Sequence, residues 1–149
     1  MMTDVPAILL AEDNPNDVEL TLEALSRNNL ANRVIVAHDG VEALEYLRRE
    51  GVFSERAPGD PAVLLLDIKM PRKDGLEVLR EIRGDPALRR LPVVILTSSR
   101  EEQDLLTSYD LGVNAYVVKP VDFPSFIEAV KELGVFWAVI NERPPNGVK

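Results

Sequence analysis

Val63-Leu64-Leu65-Leu66-Asp67 decides the architecture: four apolar residues in a row, closed by a single acid. Three other short runs have the same form and different endings. Ile8–Ala11 ends in Glu12-Asp13, Val93–Leu96 in Thr97, and Tyr116–Val118 in Lys119. Short runs rich in Val, Ile and Leu, separated by amphipathic stretches, read as parallel strands buried on both faces and joined by crossover helices. In open sheets of this kind, functional groups gather beyond the carboxyl ends of the strands. Three carboxylates, a hydroxyl and an ammonium would therefore converge. Such a cluster repels itself unless a cation and an anion complete it, and a divalent metal with a phosphoryl group suits that need.

Working outward, Asn14-Pro15 supplies a helix cap followed by proline at the first helical position, and Val18, Leu22 and Leu25 continue at helical spacing. Arg33–His38 reads as a second strand. Val41, Leu44 and Leu47 mark a helix expected to stop at Gly51. The stretch from Gly51 to Pro61 is polar, a long irregular loop within one domain. Leu76, Leu79 and Ile82 outline a third helix closed by Gly84. Ser98-Ser99 begins a fourth, with Leu105, Leu106 and Tyr109, ending at Gly112. Phe123, Phe126, Ile127, Val130 and Leu133 outline the last, expected to extend over about 122–141. Arg143–Lys149 reads as a flexible tail. Five strands alternating with five helices make an α/β three-layer sandwich with right-handed crossovers.

The 149 residues are the size of one domain, here placed at 1–141, and there is no cysteine to staple it. The opening residues lack a basic segment and Ile8–Ala11 is too short for a signal peptide, so a cytoplasmic, non-membrane protein is expected. The net charge of −8, from 25 acidic and 17 basic residues, disfavours nucleic acid and anionic lipid as partners. Only residues 134–149 follow Leu133, so no output domain is expected.

The ordered set Glu12-Asp13, Asp67-Ile68-Lys69-Met70-Pro71, Asp74-Gly75, Thr97-Ser98, Gly112-Val113-Asn114-Ala115-Tyr116 and Lys119-Pro120 resembles the receiver domain of two-component response regulators across roughly residues 7–133. The resemblance implies a flavodoxin-like (βα)5 fold with strand order 2-1-3-4-5. It implies a phosphoacceptor at Asp67 and Mg²⁺ held by Asp13, Asp67, the backbone carbonyl of Lys69 and, through a water, Glu12. Lys119, Thr97 and the backbone N–H of Ser98 would bind phosphate. Thr97 and Tyr116 would form the switch, coupled to the face made by the fourth helix, fifth strand and fifth helix. The Lys119-Pro120 bond would be cis.

Taken singly, each residue has a plain structural reading: Asp67 as a helix cap, Glu12 and Asp13 as solvated turn acids, Thr97 as a strand residue, Lys119 as a loop cation. Tyr116 could equally be packing, and His38, the one histidine, reads as a polar strand-end residue. One site explains the ordered set better than separate coincidences do.

The leading function is a stand-alone receiver that takes a phosphoryl group from a sensor histidine kinase, holds it on Asp67 and loses it to water, signalling to an unknown downstream protein. A phosphatase with an aspartyl nucleophile is the enzyme alternative, but such enzymes place a second acid where Lys69 stands. A phosphate-independent adaptor is the other. The long loop, the Asp13-Asn14-Pro15-Asn16-Asp17 opening and the Phe136-Trp137 tail resemble single-domain regulators that partner phytochrome-type kinases. Val135, Phe136, Trp137, Val139 and Ile140 offer an apolar surface expected to form a homodimer, or else to fold back on the monomer.

Overall fold

A computed structural model describes residues 6–107, 112–113 and 115–142. Five parallel strands, β1 (Ile8–Ala11), β2 (Val34–Ala37), β3 (Val63–Asp67), β4 (Val93–Thr97) and β5 (Tyr116–Val118), form one sheet in the order β2-β1-β3-β4-β5. β1, β3 and β4 are buried along their whole length, as unbroken apolar runs require, whereas β2 at the edge is only half-buried. Side chains alternate between two apolar layers. Leu9, Leu64, Leu66 and Ile95 meet α2 (Gly40–Arg48), α3 (Gly75–Gly84) and α4 (Arg100–Thr107). Ile8, Leu10, Leu65 and Val94 meet α1 (Pro15–Leu25) and α5 (Phe123–Glu132).

Local chemistry starts the helices. Asn14 accepts from the N–H groups of Asn16 and Asp17, with Pro15 in the first turn. Asp39 and Asp122 cap α2 and α5, and Asp74 with Glu77 forms a reciprocal capping box on α3. Gly75 is required by close approach: a Cβ there would lie 2.3 Å from the carbonyl oxygen of Asp67.

Three departures from the sequence reading stand out. α2 ends before Gly51, because Arg49 takes the left-handed conformation at φ 56° and caps it. A 3-10 turn, Arg27–Arg33, connects α1 to β2. The helix expected over 122–141 is broken in two. Gly134 adopts φ 74°, the N–H of Val135 bonds the carbonyl of Val130, and a short α6 (Phe136–Ile140) follows. The turn sends Val139 into the core, where it is fully buried. Arg33 holds α6 in place by donating to the carbonyls of Ala138, Val139 and Pro6. Val139 therefore belongs to the monomer's interior and leaves the set of interface candidates.

The loop from Gly51 to Pro61 is built, with a 3-10 turn at Gly51–Phe53. Arg56 stacks 4.1 Å over the Tyr46 ring and donates to the carbonyls of Tyr46, Ala57 and Gly59. Tyr109, Asn114 and the 143–149 tail lie outside the described residues. Among the described residues, no helix is long and apolar enough to cross a membrane.

Candidate functional site

Register places the polar ends together. Asp67 pairs with Leu96 across β3 and β4, and Thr97 pairs with Val118 across β4 and β5, so the ends of three neighbouring strands finish at one level. Ala11 pairs with Leu66, which brings Glu12 and Asp13 beside Asp67. Glu12, Asp13 and Asp67 each offer a carboxylate oxygen, all within 4.8 Å of one another. Glu12 and Asp67 are buried, while Asp13 is exposed at the mouth.

Lys119 reaches into this acid cluster. Its Nζ lies 3.2 Å from Asp67 Oδ1, 3.3 Å from Glu12 Oε1 and 3.0 Å from Asp17 Oδ2. One ammonium cannot neutralise so many carboxylates. Burial, and then the charge of Asp67, push Glu12 up to about 7. Burial also raises Asp67, although Lys119 works against it. Burial opposes the charge on Lys119, but the Asp17 hydrogen bond and the charges of Asp67 and Glu12 prevail, holding it above the usual lysine range.

Thr97 is fully buried, and its hydroxyl has no hydrogen-bond partner among the described residues. Buried hydroxyls are nearly always paired, so an orphan at a strand end beside an acid cluster is informative. The Ser98 N–H, expected to be free for phosphate, donates to Glu102 Oε1 at 2.8 Å. The other Glu102 oxygen sits 3.9 Å from the exposed Lys69 ammonium. Tyr116 is half-buried, donates from its hydroxyl to the Val113 carbonyl, and packs with Ile68 against the apolar layer that contains Leu79, Ile95 and Leu106. The Lys119-Pro120 peptide is cis.

Glu12, Asp13, Asp67, Lys69, Ser98 and Lys119 line one open cleft. Thr97, fully buried, directly precedes Ser98 at the end of β4. Sequence reasoning gave no site role to three of the cleft's residues, Asn14, Asp17 and Glu102, the first of them read only as a helix cap. Asp17 looked like an ordinary acid of a first helical turn. Glu102 carried a signal, since Ser99-x-x-Glu102 has capping-box spacing. Ser99 does cap the Glu102 N–H, but the carboxylate turns to Ser98.

The donor set is all oxygen and strongly anionic, which suits a hard divalent cation and offers no nitrogen or sulfur ligand. Beside it lie a held ammonium and an unpaired hydroxyl, the two donor types that bind phosphoryl oxygens. The pattern of the response regulator receiver domain matches residues 8–131. This chain belongs to the response regulator receiver family.

Receiver relatives match over nearly the full length. Response regulator Rcp1 of Synechocystis sp. is 39% identical over 130 residues, covering 87% of each chain. Its solved Mn²⁺-bound form superposes with a TM-score of 0.68, at 35% identity and 97% coverage of both chains. The bacteriophytochrome response regulator AtBRR is 57% identical, with a TM-score of 0.87 over 97% of this chain and 99% of that one. The phosphorylated cyanobacterial phytochrome response regulator RcpA is 42% identical, with a TM-score of 0.70 over 90% of this chain and 94% of its own. Receiver domains bind a divalent metal, and the acidic cluster here has the composition for one.

Proposed function

We propose that Asp67 accepts a phosphoryl group from a phosphohistidine on a phytochrome-type sensor histidine kinase in the cytoplasm. An Asp67 carboxylate oxygen attacks phosphorus, the P–N bond breaks, and the departing imidazole takes up a proton. The kinase assignment is supported by the likeness to AtBRR and RcpA, whose names place them with phytochromes. Asp13, Asp67 and the carbonyl of Lys69 would hold Mg²⁺ directly, with Glu12 acting through a water. The bound ion would neutralise charge on the carboxylates and the phosphoryl oxygens.

The chain's own groups do the rest. Lys119, already 3.2 Å from Asp67, exchanges a carboxylate partner for a phosphoryl oxygen. Thr97 donates its unpaired hydroxyl to a second oxygen, and the Ser98 N–H donates to a third. Movement of Thr97 towards phosphate draws Tyr116 inward and repacks the face of α4, β5 and α5 for a downstream protein. Hydrolysis of the acyl phosphate resets the switch. Lys69 stands where an aspartyl phosphatase would carry its second acid, so the protein turns over no external ester and is a phosphoacceptor.

The homodimer forms through the face that includes α5 and α6, using Phe136, Trp137 and Ile140. Phe136 and Trp137 stack edge to face at 4.8 Å, half-buried at the surface of the monomer. Light scattering of wild type against F136A/W137A tests this, and a wild type that stays monomeric at tens of micromolar removes it.

The observation that carries the reading is the buried, unpaired Thr97 hydroxyl on the strand beside Asp67. Labelling with acetyl phosphate and Mg²⁺ tests it. Wild type takes an acid-labile, hydroxylamine-sensitive label, and D67N takes none. Equal labelling of D67N refutes the assignment.

A further inference from the structure

Glu102 lines the cleft, yet the phosphoryl chemistry gives it no task. Its backbone N–H is capped by Ser99 Oγ at 3.1 Å, which fixes the first turn of α4 beside the cleft. From there its carboxylate accepts the Ser98 N–H at 2.8 Å. In a reciprocal capping box the glutamate would bond the N–H of the cap residue itself, here Ser99; this one reaches a residue further, to the strand end. Its second oxygen pairs with Lys69, which follows Asp67 by two residues, so the Lys69 and Glu102 side chains meet at the mouth of the cleft.

We propose that Glu102 is a resident anion that occupies the Ser98 N–H in place of a phosphoryl oxygen and must be displaced when Asp67 is phosphorylated. This rests on the reading of Ser98 as a phosphate donor. A carboxylate and a phosphoryl oxygen cannot share one N–H at full strength, so phosphorylation releases Glu102 from Ser98 and Lys69. The release loosens the link between the first turn of α4 and the β3–α3 loop. α4 is thereby informed of phosphorylation by a route separate from Thr97 and Tyr116. The latch also sets a threshold, because any donor has to win the Ser98 N–H from a charged competitor.

The test compares wild type, E102Q, E102D and E101Q for labelling by acetyl phosphate and for binding of beryllofluoride with Mg²⁺. Glutamine keeps the shape and loses the charge, weakening a charge-assisted bond by about half. E102Q is expected to label faster and to bind beryllofluoride about tenfold more tightly, the effect of roughly 1.4 kcal/mol. Aspartate keeps the charge but is one methylene too short to hold Ser98, so E102D should follow E102Q. Glu101 is exposed on the same turn, and E101Q should stay near wild type. In nitrogen-15 spectra without ligand, the Ser98 amide should shift in E102Q and E102D and stay in E101Q. If E102D behaves as wild type, or E101Q matches E102Q, general charge explains the rates and the latch is wrong. If E102Q binds and labels as wild type does, the latch is also wrong. A wild type that takes no label overturns the phosphoacceptor reading itself, a result distinct from either.

Discussion

Replacing Thr97 by valine should make the resting protein more stable while impairing its function. Thr97 is fully buried and its hydroxyl has no partner among the described residues. A buried unsatisfied hydroxyl costs about 1–3 kcal/mol. The valine methyl that replaces it adds about 0.8 kcal/mol of apolar burial at most. A net gain of about 2 kcal/mol is therefore expected, or about 4–8 °C in Tm for a domain of this size. Beryllofluoride with Mg²⁺ should cancel most or all of the advantage. A ligand at 100 times its Kd stabilises by about 2.7 kcal/mol, and T97V forfeits the hydrogen bond to a charged group that supplies much of this affinity, about 1.5–3 kcal/mol. Thermal melts of both proteins in EDTA, and again with beryllofluoride and Mg²⁺, measure the two effects. If T97V melts at or below wild type in EDTA, the hydroxyl is satisfied in solution and the argument from its isolation fails.

Other outcomes follow from the same geometry. Glu12 titrates near 7 in the fold against an ordinary 4.5, so between those values the native state holds a proton that the unfolded chain has released. Metal-free stability should therefore fall as pH rises from about 5 to 8, a slope flattened in E12Q, while Mg²⁺ affinity rises over the same range; urea titrations with and without Mg²⁺ check both. G75A places a Cβ 2.3 Å from the Asp67 carbonyl oxygen and should cost about 1–3 kcal/mol with slower labelling of Asp67, measured by denaturation and acetyl phosphate. R33M strips the donors from the carbonyls of Pro6, Ala138 and Val139 and should cost about 1–3 kcal/mol, with a change in Trp137 fluorescence as α6 loosens. Unchanged fluorescence and stability in R33M would show that Val139 alone seats α6.

The four apolar runs and their polar endings were readable because a parallel strand buried on both faces needs every residue apolar, and only its carboxyl end can carry chemistry. The positions of Glu12, Asp67, Thr97 and Lys119 follow from that rule, and the cap at Asn14 is a local hydrogen bond written within three residues. Strand order was supplied by resemblance, since periodicity does not say which strands pair. What stayed hidden depended on groups far apart in the chain. Apolar periodicity carries Phe123–Ile140 as one amphipathic run, yet Gly134 breaks it, and Val139 is buried because Arg33, over a hundred residues earlier, captures the end of α6. Asp17 and Glu102 were passed over for the same reason. Each looks like a solvated acid in a first helical turn, and becomes part of the site only because the sheet brings Lys119 to one and the end of β4 to the other. Local pattern records what a residue does within its own element, whereas the ion pairs and displaced partners of the cleft exist only once β1, β3, β4 and β5 lie side by side.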